Sequence, residues 1–152
     1  MRKLIEDICR GLIVQAIGAK VTALDKTSAT CTVKPLNGGA EILDVILRAD
    51  DGNTKGQVIY PAVDSLVLVA PIDNDRAHYY VAMFSEVDEV SCLIGDTRFI
   101  TGKKGVTIAK GNDGLKEVLI GLVDEVLKIY APMNKPGLIL IKNRIKQLLN
   151  DA

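Results

Sequence analysis

Tryptophan is absent, and the whole chain holds one histidine, two phenylalanines and four tyrosines. A stacking platform for single-stranded nucleic acid needs several rings on one basic surface. An aromatic content of 4% leaves little from which to build one. Net charge is also missing, because 19 Lys and Arg balance 19 Asp and Glu. The basic footprint that phosphate binding requires is therefore not visible, and nucleic acid is not an expected partner. Cysteine is scarce: Cys9, Cys31 and Cys92 stand far apart, with no CxxC pair. Metal sites need clustered ligands, so these read as buried free thiols of a reducing compartment. No apolar run approaches the roughly 18–20 residues of a membrane-spanning helix. The opening residues carry Arg2, Lys3, Glu6, Asp7 and Arg10 and lack the apolar stretch of a signal peptide. The expectation is a protein made in the cytoplasm, soluble there, with no membrane partner.

Catalytic signatures are equally sparse. The single histidine, His78, falls beside a turn in an expected strand, with no second histidine to make a metal pair or a base–nucleophile set. Glu86, Asp88 and Glu89 form an acidic group that reads as a solvated loop rather than a glycosidase pair. The stretch Gly102-Lys103-Lys104-Gly105-Val106-Thr107 has Lys and Thr near glycines, but not the order or spacing of a phosphate-binding loop, and reads as a hairpin turn. HExxH and GxSxG motifs do not occur. The expected protein is not an enzyme and has no catalytic, cofactor or metal-binding residues.

What is present is ordered patterning over 152 residues, of which 48% are hydrophobic. This suits one domain, or one small domain with an appendage. Leu4, Ile5, Ile8, Leu12 and Ile13 recur at helical spacing, which predicts an N-terminal helix over 1–18, ended by Gly18. From about 19 to 94 alternation takes over. Strands are predicted over Val21–Leu24, Thr30–Pro35, Ile42–Arg48, Gln57–Tyr60, Ser65–Ala70 and His78–Phe84, with Asp/Asn/Gly turns such as Asp50–Asn53 and Asp73–Asp75 between them. Ser65–Ala70 is apolar throughout, as a buried barrel strand would be. Short strands at this spacing suit a small antiparallel β-barrel of the OB type.

A Gly-bounded zone over 95–111 continues with short β pieces, including Arg98–Thr101 and Val106–Ala109 after Ser91–Ile94. A helical hairpin then occupies 112–152. Its first helix is predicted over Leu115–Ile129, capped by Asn112 or Asp113, and its second over Leu138–Leu149. Pro132, Asn134, Pro136 and Gly137 read as the connection. Leu115, Val118, Leu122 and Val126 stripe the first helix, and Leu138, Ile141, Ile145 and Leu148 follow a heptad on the second. Two short helices bury too little to stand alone. They either fold back on the barrel or meet copies from other subunits, and the second option makes these eight residues an oligomerisation face.

Three stretches carry a family resemblance: Val21-Thr22-Ala23-Leu24-Asp25, Cys31-Thr32-Val33-Lys34-Pro35-Leu36-Asn37-Gly38, and Val58-Ile59-Tyr60-Pro61-Ala62-Val63-Asp64-Ser65-Leu66-Val67-Leu68-Val69. With Ala82–Asp88 they resemble the OB-fold domain of phage baseplate spike and hub proteins, in the small prophage-type version. That family has a Pro-x-Val-Gly-x-x-Val turn, in which Asp64 here replaces the glycine. The Gly-rich β segment and Gly111-Asn112-Asp113-Gly114-Leu115-Lys116 resemble the C-terminal parts of such proteins. The resemblance implies a homotrimer, other baseplate or tail proteins as partners, and a place in the virion tail or a contractile injection apparatus as a structural spike, hub or adaptor. A metal-tipped needle is not implied, because His78 stands alone. The alternative function is an OB-fold module that binds single-stranded nucleic acid.

Overall fold

A computed structural model describes residues 15–49, 55–73, 77–129 and 133–151. Of these residues 48% are strand and 22% helix, arranged as a closed five-strand β-barrel and two C-terminal helices. The chain divides into two compact units, Met1–Asn53 with Val58–Asp88, and Thr54–Gln57 with Glu89–Ala152. The predicted N-terminal helix and the Asp50–Asn53 turn lie for the most part outside the described residues. The helix's expected end does not: Ile17 and Gly18 open the first strand.

The first unit contains β1 (Ile17–Asp25), β2 (Thr30–Pro35), β3 (Ile42–Ile46), β5 (Leu66–Pro71), β6 (Tyr79–Phe84) and, from Val58 on, β4 (Gly56–Pro61). Five of them close a barrel in the order β1-β2-β3-β6-β5, with β4 outside that order. All its pairings are antiparallel except β3 with β6, which are parallel and meet at Ile46 and Tyr80. Alternate residues turn inward, as the pleat requires. Ala19, Val21, Cys31, Val33, Val45, Val67 and Val69 form the core, and the register sets Val21 opposite Val33 and Cys31 opposite Val45. β-Branched valines fill this small interior without polar atoms. Ala29, Val58 and Tyr60 form a second buried cluster.

β5 lies in the barrel, with Val67 and Val69 in the core and Leu66 49% exposed. One strand reading needs correction. In β3, strict alternation would put Ile42 and Val45 on opposite faces, yet both join the core. Asp44, between them, has φ 54, and the β2–β3 register shifts between Cys31 and Val33. An irregularity of this kind re-aims the residues beyond it.

In the second unit β7 (Val87–Ile94), β8 (Thr97–Gly102) and β9 (Gly105–Lys110) form an antiparallel meander. The three β pieces therefore pair with each other. Two-residue turns join them, Gly95-Asp96 and Lys103-Lys104, and Gly95 has the positive φ that such turns require. β7 begins earlier than predicted, so Asp88 and Glu89 lie in a strand and half-buried rather than on a solvated loop. β10 (Asp113–Gly114) pairs with Lys110 and Ala109. Asn112 and Asp113 thus do not cap the next helix; Gly114 holds the cap position, with no side-chain hydrogen bond. Helices α1 (Leu115–Lys128) and α2 (Lys135–Leu148) follow. Pro136 and Gly137 belong to the first turn of α2, where proline's missing N–H costs nothing, rather than to the connection.

Candidate association surface

The helices do not supply a buried core. Val123 is the one buried residue of α1, and α2 has none. Both helices touch β9 and each other. Lys142 on α2 donates to both carboxylate oxygens of Asp124 on α1, at 2.6 and 2.8 Å. Leu138, Lys142 and Ile145 are the half-buried side of α2, one helical turn apart.

The predicted oligomerisation residues split into two sets. Leu115, Val126, Leu138 and Ile145 are half-buried within the hairpin's own surroundings. Val118, Leu122, Ile141 and Leu148 are exposed, at 57%, 61%, 49% and 64%. On α1 the wide apolar stripe divides, with Val123 turned inward and Val118 and Leu122 outward, one turn apart. On α2, Ile141 and Leu148 keep their heptad separation on an open face. Leu140 joins them there, as the continuous apolar run Leu138–Ile141 could have signalled, while Ile139, also exposed, lies on the other side of the helix.

Residues 149–151 are fixed to the sheet. Leu149 forms a parallel bridge with Val106, and the Asn150 N–H donates to the Val106 carbonyl at 2.9 Å. The Thr107 hydroxyl donates to the Asp151 carbonyl at 3.4 Å, and Lys116 pairs with the Asp151 carboxylate at 2.9 Å. That ammonium holds the Asp151 carboxyl below its ordinary range. Gly105, part of the glycine–lysine stretch, lies at this contact and closes the predicted β8–β9 hairpin.

The barrel carries a cleft of about 560 Å³, lined by Ile46, Leu47, Arg48, Pro71, Ile72 and Tyr80 among others. Its ring content is small. Tyr79 and Phe84 pack on the barrel core, Tyr60 is buried with Lys26 over its ring at 5.3 Å, and Tyr80 is 42% exposed. Tyr79 and Tyr80 take opposite faces of β6, as their spacing predicts. His78 precedes β6, and its carbonyl accepts the Ile72 N–H at 2.9 Å. Among the described residues no group of three or more His, Cys, Asp and Glu is placed to hold a metal ion, and no helix is long and apolar enough to cross a membrane. Comparison of the chain with protein-family models, with curated proteins and with solved structures finds no match.

Proposed function

We propose that this chain is a self-associating structural protein, and that its helical hairpin is the element through which copies assemble. The observation that carries the reading is the hairpin's exposure: α2 buries no residue, while Val118, Leu122, Leu140, Ile141 and Leu148 stand open. Leu140, Ile141 and Leu148 lie within about 100° of one another round α2, and an exposed apolar patch of this kind marks an interaction site. A heptad-spaced seam suits packing against other helices of the same kind.

The finer reading is an oligomeric, trimeric spike, hub or adaptor of a phage baseplate or related injection apparatus, with a barrel of the OB type. Two features support it. The barrel order, with one parallel contact among antiparallel pairs, agrees with a five-stranded Greek-key barrel. The family's turn glycine also falls where this backbone favours one. Asp64 has φ 72, and the Ser65 N–H donates to the Ala62 carbonyl, the pattern of a type II turn. The work done is mechanical, with no catalytic step.

Light scattering on the eluting protein tests the reading against the monomer mass of 16.4 kDa. A mass near three times that value is expected. Leu122→Asp and Ile141→Asp, both at exposed positions, should lower it while far-UV circular dichroism keeps its β signal. A monomeric parent would refute the assignment.

A further inference from the structure

Glu125 on α1 and Arg144 on α2 stand in the same local pattern. Each has an aliphatic residue three positions before it and another four positions after it: Leu122 and Ile129 around Glu125, Ile141 and Leu148 around Arg144. At about 100° per residue, each set of three falls within about 60° of its helix's circumference and forms one stripe. All six residues are exposed. The stripes match in spacing and are opposite in charge. The helices share that bias. α2 carries Lys135, Lys142, Arg144 and Lys146 with no acid, whereas on α1 Glu117, Asp124 and Glu125 outnumber Lys116 and Lys128. Within one hairpin the stripes do not meet. The helices join through Lys142 and Asp124, and the centre of each stripe lies about 130° round its helix from that pair.

We propose that the Leu122–Glu125–Ile129 stripe of one copy packs against the Ile141–Arg144–Leu148 stripe of the next, with Glu125 and Arg144 paired across the contact. The inference rests on the self-association reading and names the surfaces that it uses. A threefold assembly needs two different, complementary surfaces on each subunit, because only a twofold contact joins a patch to its own copy. The hairpin supplies two. Charge selects the same pairing. α1 on α1 would set Glu125 against Glu125, and α2 on α2 would set Arg144 against Arg144, and like charges brought together in a contact oppose it. α1 on α2 replaces both clashes with an ion pair flanked by aliphatic residues, where water screens it less than at a free surface. In the single chain Glu125 pairs with Lys128 at 2.5 Å, but both groups are well exposed and such a pair contributes little. The contact joins copies head to tail, so a closed ring leaves neither stripe uncovered.

The test uses the full chain, with mass followed by light scattering over a range of protein concentration. Glu125→Arg and Arg144→Glu should each raise the concentration of half-dissociation roughly tenfold or more, because each sets like charges face to face. The double variant, with the two charges exchanged, should return to within about threefold of the parent. Arg and Glu have similar helix propensities and both positions are exposed, so circular dichroism should match the parent in all three variants. An oligomeric parent whose mass falls with Leu122→Asp, but not with either charge reversal, would overturn the α1-on-α2 contact alone. So would a double variant that stays as dissociated as the single ones. A parent at 16.4 kDa would remove both the contact and the reading on which it rests.

Discussion

Gly105 lies against the main-chain carbonyl of Leu148, so close that a Cβ on Gly105 would stand 2.7 Å from that oxygen. Its φ of 126 is one that side-chain-bearing residues avoid. One glycine thus closes the β8–β9 turn and admits residues 149–151 to the edge of β9. We predict that Gly105→Ala detaches residues 149–151 and lowers stability by about 1–3 kcal/mol. Hydrogen exchange reads this directly, since the Asn150 amide that bonds Val106 should lose protection. Unchanged protection at Asn150 would show that the contact tolerates a methyl group.

The turn at Asp64 yields a second prediction. A left-handed conformation suits glycine, is tolerable for aspartate and is poor for a β-branched residue. Asp64 also pairs with Lys20 at 2.8 Å, but both groups are well exposed, so the pair contributes little. Asp64→Gly should stay within about 1 kcal/mol of the parent in urea denaturation. Asp64→Val should lose about 1–2 kcal/mol. Equal stability of the two variants would mean that the turn is not held in its left-handed form.

Burial pushes the Cys31 thiol up to about 11 from an ordinary 9.0. The thiolate is the disfavoured form in the fold, so the folded state holds its proton more tightly than the unfolded chain. The contribution of this site is complete below pH 9 and is lost as pH rises from 9 towards 11. Denaturation midpoints should fall across that window in the parent and less in Cys31→Ala. At neutral pH Cys31 should resist alkylation until the barrel unfolds. An alkylation rate unaffected by denaturant would contradict its burial.

Val123 and Leu122 are neighbours with opposite environments. Val123 is 8% exposed and Leu122 61%. Truncating the buried residue leaves a void, so Val123→Ala should lower chain stability by about 1–2 kcal/mol. Leu122→Ala should change it by less than about 0.5 kcal/mol and instead weaken association. Thermal melts and the concentration dependence of mass separate the two effects, and the same loss in both variants would argue against an open α1 face.

How much of this was legible depends on whether the cause is local. Thr30–Pro35 shows its bounds because alternation and flanking turns both lie within a few residues. The heptad on α2 showed that Leu138, Ile141, Ile145 and Leu148 form a pattern. It did not show that the first and third sit half-buried while the second and fourth stay open. That division depends on α1 and β9, which are distant in sequence. The inward turn of Ile42 beside Val45 follows from one backbone angle at Asp44, which no residue pattern announces. Asn112 and Asp113 looked like caps because their chemistry suits a helix start, and the pairing of Asp113 with Lys110 prevailed.

Closure of the barrel has a consequence in time. β1 pairs with β5 across the whole of β2, β3 and β4, and β3 reaches β6 through a single residue pair. Such joins bear the entropy of long loops before they return any contact energy. The β7–β9 meander needs only neighbouring segments and two-residue turns, which form within microseconds. As the chain leaves the ribosome, β1 must therefore wait for β5 and β6 before Ala19 and Val21 are covered, whereas each hairpin of the meander can form as soon as its second strand appears. Barrel closure is the slow, late event of folding, and the inner faces of β1 and β5 are the surfaces that a growing chain leaves uncovered longest.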